Sequence, residues 1–137
     1  MVRTVVQGAI FQSGGAVEIV GSRLSKNSAA AQGGAIYTSE GTLAIVSSVL
    51  FDNHCSIWPL TPGFGGAIYA LAATVALQTV TLRSNQAFFG GALYAVKDQS
   101  TGHYSIVTLV NVTFAKNKLN SFQCVANIMK SATKKMC

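Results

Sequence analysis

Four carboxylates, two histidines and three cysteines are the side chains of this sequence that could carry acid–base, metal or nucleophilic chemistry. The carboxylates are Glu18, Glu40, Asp52 and Asp98. Hydrolysis of a glycosidic bond usually needs two of them close together. A lyase needs an acidic calcium cluster, or an Arg or Lys base beside one. The four acids here are scattered and fall at unrelated positions of the repeat described below. His54 and His103 read as loop residues without a Ser, Cys or Asp partner at a recognisable motif spacing. His54 adjoins Cys55, but adjacent residues of an extended chain point apart, which argues against a dyad. Cys55, Cys124 and Cys137 show no metal-type spacing, and their odd number leaves one unpaired. The GGAIY segments lack both the GK[ST] ending of a phosphate loop and a following helix. No catalytic residue, metal ligand or cofactor is assigned on this basis.

Residues suited to binding are more numerous. Ten Lys and Arg against four acids give a net charge of +6. That balance attracts acidic glycans, anionic membranes or nucleic acid. Lys26, Arg83 and Lys116 are the strongest candidates, with Arg23 and Lys118 just outside them and Asp52 among them. A cation row of this kind suits a linear anion such as a sulfated glycan. Nucleic acid is not expected, because the row lacks interleaved aromatics for base stacking. A second candidate surface is the aromatic set Phe11, Tyr37, Tyr69 and Tyr94, which could meet a sugar face or a partner chain. The competing reading is that these rings are core, or stack only on one another.

What must position these residues is an internal repeat. Four units open on QGAIF (7–11), GGAIY (33–37), GGAIY (65–69) and GGALY (90–94). They close on LSKN (24–27), LFDN (50–53), LRSN (82–85) and FAKN (114–117). Unit starts are 26, 32 and 25 residues apart. The longest spacing holds a Pro/Gly loop, WPLTPGFG (58–65), and the fourth unit carries an insertion within KDQSTGHY (97–104). Aligned columns match in chemistry: Val17, Leu43, Val75, Val107; Ile19, Ile45, Leu77, Leu109; Leu24, Leu50, Leu82, Phe114. The period within a unit is two, so the segments are strands, three short ones per unit, with a bend between residues 19 and 22. Such a unit cannot bury its own apolar face, whereas stacking like on like at about 4.8 Å does so. The expected fold is all-β: a right-handed parallel β-helix of about four rungs over residues 1–117. Gly8, Gly34, Gly66 and Gly91 share a column, where a Gly-Gly opening calls for positive φ or close backbone approach. Asn27, Asn53, Asn85 and Asn117 share a corner, where stacked amides can form a structural ladder.

The GGAI opening and FxxN closing resemble the repeat of the chlamydial polymorphic outer-membrane protein family. The openings match well. Of the closings only FAKN (114–117) fits fully, and three units have Leu where the family has Phe. The resemblance implies a secreted, cell-surface β-helix used in adhesion, often followed by an outer-membrane barrel. No barrel-like alternation follows residue 117. No signal peptide is visible at the start, and no apolar run reaches the ~18 residues of a membrane span.

Residues 118–137 break the pattern. Phe122, Val125, Met129, Ala132 and Met136 form a helical stripe after Ser121, expected as a helix capping the last rung. An unpaired end rung would also permit end-to-end association. Two functions from different classes result. One is a structural or adhesive segment that binds neighbouring or host surface proteins or acidic glycans without catalysis. The other is a polysaccharide lyase-like or hydrolase-like β-helix enzyme, or a fragment of one. Ice binding would need regular Thr-x-Thr rows, and only TVT (79–81) hints at one.

Overall fold

The computed structural model describes residues 8–119, and all of its regular structure is β. Each unit coils once, and equivalent segments of successive units pair in parallel and in register. The opening ladder joins Ile10–Ser13, Ile36–Ser39, Ile68–Leu71 and Leu93–Val96. The second joins Ala16–Val20, Thr42–Val46, Thr74–Gln78 and Ile106–Val110. The third joins Arg23–Ser25, Val49–Phe51, Thr81–Arg83 and Thr113–Ala115. The molecule is therefore a parallel β-helix of four rungs.

One expectation needs correcting. Each rung has four strands, not three, because Ser28–Ala29, His54–Cys55, Gln86–Ala87 and Lys118–Leu119 form a fourth ladder. A two-residue strand is too short to show a period of two. This ladder places His54 in a strand, and it carries Lys118 and Leu119 within the stack. The helix expected over 121–136, with Cys124 and Cys137, lies outside the described residues.

The corners explain how so short a unit turns. Gly14, Glu40 and Ala72 take positive φ after the opening strand. Gly21, Ser47, Thr79 and Asn111 do so after the second, which is the bend expected between residues 19 and 22. Lys26, Asp52, Ser84 and Lys116 do so after the third. A single left-handed residue reverses the side-chain alternation and redirects the chain without a loop. At the fourth corner the two glycines of the opening divide the task. The first has positive φ (61°, 72° and 62° at Gly33, Gly65 and Gly90). The second lies flat against the next rung, so a Cβ on Gly34 would collide with the Gly66 carbonyl oxygen and one on Gly66 with that of Gly91.

The interior is filled by the expected columns. Ile36, Leu43, Ile45, Leu50, Ile68, Val75, Leu77 and Leu82 are essentially inaccessible. Their equivalents in the outer rungs, Ile10, Val17 and Leu24 on one side and Val107, Leu109 and Phe114 on the other, are partly buried. Burial of apolar area supplies the main driving force, and it is reached only by stacking.

Polar groups inside are fully engaged. Asn53 and Asn85 are completely buried. Asn27 Nδ2 donates to Asn53 Oδ1 (2.9 Å), Asn53 Nδ2 to Asn85 Oδ1 (3.0 Å) and Asn85 Nδ2 to Asn117 Oδ1 (3.0 Å). Each Oδ1 also accepts the backbone N–H of the preceding Asn, and the second Nδ2 proton reaches the Leu24, Leu50 or Leu82 carbonyl. At the first rung Gln12 accepts from Thr38 Oγ1 (2.9 Å) and donates to the Gly15 and Thr42 carbonyls. Among the described residues no buried side-chain nitrogen or oxygen lacks a partner.

Candidate functional site

The basic residues gather around the third corner, but in four different columns. Lys26 and Lys116 share a column, separated by Asp52 and Ser84. Arg83 stands one residue earlier, in the column of Phe51. Arg23 comes two residues before that column in the first rung. Lys118 stands in the outward column of the fourth ladder. The stacking produces one arrangement that the sequence did not reveal. The guanidinium carbons of Arg23 and Arg83 lie 4.2 Å and 4.7 Å from the centroid of the Phe51 ring. One phenyl ring thus holds two guanidinium groups by cation–π attraction, and both side chains remain solvent-exposed.

Phe11, Tyr37, Tyr69 and Tyr94 alternate with the inward Ile10, Ile36, Ile68 and Leu93 and form an outward stack. Successive ring centroids are 5.0, 5.3 and 5.8 Å apart, and the rings are stacked nearly parallel. A second pair, Phe64 and Phe89, stacks alongside at 5.2 Å. Phe64 also packs against Tyr94 and the edge of Tyr69. The rings of the tyrosine file therefore face one another and the phenylalanines. Tyr69 is buried, and this burial, with the neighbouring Tyr37 and Tyr94, pushes its phenol up to about 12. Phe11 remains exposed at the end of the file.

The acids stay apart. Glu18 projects from the second ladder beside Ala44, Glu40 and Asp52 occupy different corners, and Asp98 closes a turn in the 97–104 insertion. Ser100 donates from its N–H and hydroxyl to the Asp98 carboxylate and holds it below the usual range. Among the described residues no group of three or more His, Cys, Asp or Glu could hold a metal ion. The Cys55 thiol is buried in the fourth ladder, and burial raises its pKa.

A further site lies beside those candidates. The Pro/Gly segment of the second unit forms a small antiparallel hairpin, Ile57–Trp58 against Thr61–Pro62. Its base closes where the Gly63 N–H donates to the Ser56 carbonyl (2.9 Å), and Ser56 Oγ meets the Trp58 N–H and Thr61 Oγ1 (both 3.4 Å). The hairpin stands out from the rung, with Trp58 and Leu60 70% and 96% exposed. Between it and the third corner runs an open groove of about 480 Å³. Asp52, His54 and Trp58 come from one rung, Ser28 from the rung before, and Ser84 and Gln86 from the rung after. Ser28 Oγ is 3.1 Å from His54 Nε2. The signal for this pairing was present in the sequence. Residues following the Asn column, Ser28, His54, Gln86 and Lys118, are equivalent across the rungs.

A parallel β-helix repeat protein is the class that this stack defines. Residues 21–39, which span the first closing and the second opening, match the Chlamydia polymorphic membrane protein repeat. Over 98 residues the chain is 37% identical to a probable outer membrane protein, pmp6, of Chlamydia pneumoniae. That alignment covers 69% of this chain and 7% of the relative. The chain belongs to the family of this chlamydial repeat. No solved structure matches it significantly.

Proposed function

We propose that this chain is a structural and adhesive β-helix segment of a cell-surface protein, which binds partner surfaces or acidic glycans without catalysis. The observation that carries the reading is the stack itself: identical corners and sealed interior columns repeat, while the outward side chains are displayed in files. The family supports residence at the outer membrane, as does the name of the Chlamydia pneumoniae relative. The dispersal of the four carboxylates favours binding over polysaccharide cleavage, which usually needs a close pair. The adhesive edge is the third corner, where Arg23 and Arg83 are held on Phe51 next to Lys26. Two guanidiniums fixed on one ring lose less freedom on meeting sulfate or carboxylate groups than free side chains would.

The test is retention on heparin in rising salt, comparing the parent with a Lys26→Ala, Arg83→Ala, Lys116→Ala variant. Earlier elution of the variant is expected, and equal elution removes this edge as a binding site. Incubation with a panel of polysaccharides, followed by reducing-end and unsaturated-product assays, should yield no turnover. Turnover would overturn the non-catalytic reading.

A further inference from the structure

We propose that the groove beside the 57–62 hairpin is a binding subsite for a neutral glycan, with Trp58 as its stacking platform. This rests on the adhesive reading of the segment and gives it a second ligand class, on the hairpin side of the corner that also carries the basic edge.

The second turn of the helix carries an insertion that the fold does not need. The first and third turns of the helix close with 26 and 25 residues, the second with 32. The extra residues bury nothing in the core. They form a closed-off hairpin that lifts the chain's single tryptophan into solvent. A large apolar ring 70% exposed on a rigid support is poorly explained as packing. It is well placed as one wall of a groove whose other wall is polar.

That polar wall has a particular composition. Asp52 contributes a carboxylate, Gln86 an amide, His54 an imidazole, and Ser28, Ser56 and Ser84 hydroxyls. The Ser28 contact at 3.1 Å fixes the His54 ring through Nε2 and directs Nδ1 elsewhere. Groups of this kind exchange donors and acceptors with the vicinal hydroxyls of a sugar. The indole face meets the C–H face of the same ring. No Lys or Arg lines the groove, and its one charge is the Asp52 carboxylate. A neutral saccharide therefore suits this lining, whereas a sulfated or carboxylated one finds its cations at the guanidiniums around Phe51. The volume of about 480 Å³ falls within the usual range for a small-ligand site. One carboxylate without a second lacks the pair on which glycoside hydrolysis usually relies, which favours holding a glycan over cleaving it.

Because Trp58 is the single tryptophan, its emission reports on this groove alone. The intact chain is titrated with maltotriose, cellotriose, chitotriose, mannotriose and lactose, and separately with heparin. A saturable change in emission with at least one neutral oligosaccharide is expected. Calorimetry with that oligosaccharide should show binding lost in Trp58→Ala and retained in weakened form in Trp58→Phe. Asp52→Ala should weaken it roughly 10-fold, as for loss of a hydrogen bond to a charged group. Far-UV circular dichroism and the melting midpoint of Trp58→Ala should match the parent, since the side chain is exposed. No saturable response to any neutral oligosaccharide overturns the assignment. So does unchanged affinity in Trp58→Ala, or an emission change with heparin alone. Heparin retention lost in the basic-edge variant, with neutral-glycan binding intact, separates failure of one site from failure of the other.

Discussion

Replacing Asn85 by Ala tests the amide ladder where it is most enclosed. The Asn85 side chain takes part in four hydrogen bonds. Its Oδ1 accepts from Asn53 N and Nδ2, and its Nδ2 donates to the Leu50 carbonyl and to Asn117 Oδ1. All lie in a fully buried or partly buried setting. At a net value of about 1 kcal/mol each, their loss costs about 4 kcal/mol, and the stranded Asn53 donors push the cost upward. For a chain of this size that corresponds to a fall in melting midpoint of roughly 12–20 °C. The control is Asn27→Ala in the first rung. It removes a single side-chain donor in a half-buried place and should cost about 1 kcal/mol. Urea unfolding followed by far-UV circular dichroism measures both. Asn85→Asp adds a pH arm, because the introduced carboxyl can still accept from Asn53 but can donate to Leu50 only when protonated. Burial raises its folded pKa above the unfolded value of about 3.9, so this variant should lose stability as pH rises above about 4. The reasoning fails if Asn85→Ala and Asn27→Ala unfold within about 1 kcal/mol of each other, or if Asn85→Asp is insensitive to pH.

Three further outcomes are expected. Ile45→Asp buries an unpaired charge in the centre of the stack, costs several kcal/mol, and should abolish the cooperative thermal transition; a parent-like melt would refute the inward assignment of this column. Thr79 is a β-branched residue at φ 54° in an exposed corner whose first-rung equivalent is Gly21, so Thr79→Gly should stabilise by about 0.5–1 kcal/mol while Thr79→Ala should not, both read from denaturation midpoints. Tyr69 should ionise near pH 12 in an ultraviolet titration, a late step absent from Tyr69→Phe; since the unfolded phenol ionises first, near 10, the parent should lose stability between pH 10 and 12 relative to that variant.

The inward columns, the corner asparagines and the paired glycines were legible because in-register stacking makes chemical equivalence along the chain the same thing as adjacency in space. Ile45 rests between Ile19 and Leu77 for the same reason that the three align. The close approach at Gly34 and Gly66 was likewise readable as a demand for glycine, though not which of the two would need the positive φ. The fourth ladder was missed because two residues per strand carry no periodicity. Its outward members, among them the Ser28 and His54 that meet in the groove, therefore carry no strand signal in the sequence.

What only the tertiary structure decided are relations between columns, because these depend on the direction in which each corner sends the chain and on the rotamers that packing selects. The sequence shows Arg23, Phe51 and Arg83 in three units and two alignment columns. The left-handed corner residues and the stacked third ladder put both guanidiniums on one ring. Alternation predicts an outward tyrosine file, but only the path of the chain into each opening strand lays Phe64 and Phe89 beside it and buries Tyr69. The hairpin is visible as an insertion. That it stands off the wall and faces Asp52 and His54 across a groove follows from the Ser56–Gly63 hydrogen bond that closes its base, a contact with no counterpart in the other units to align against.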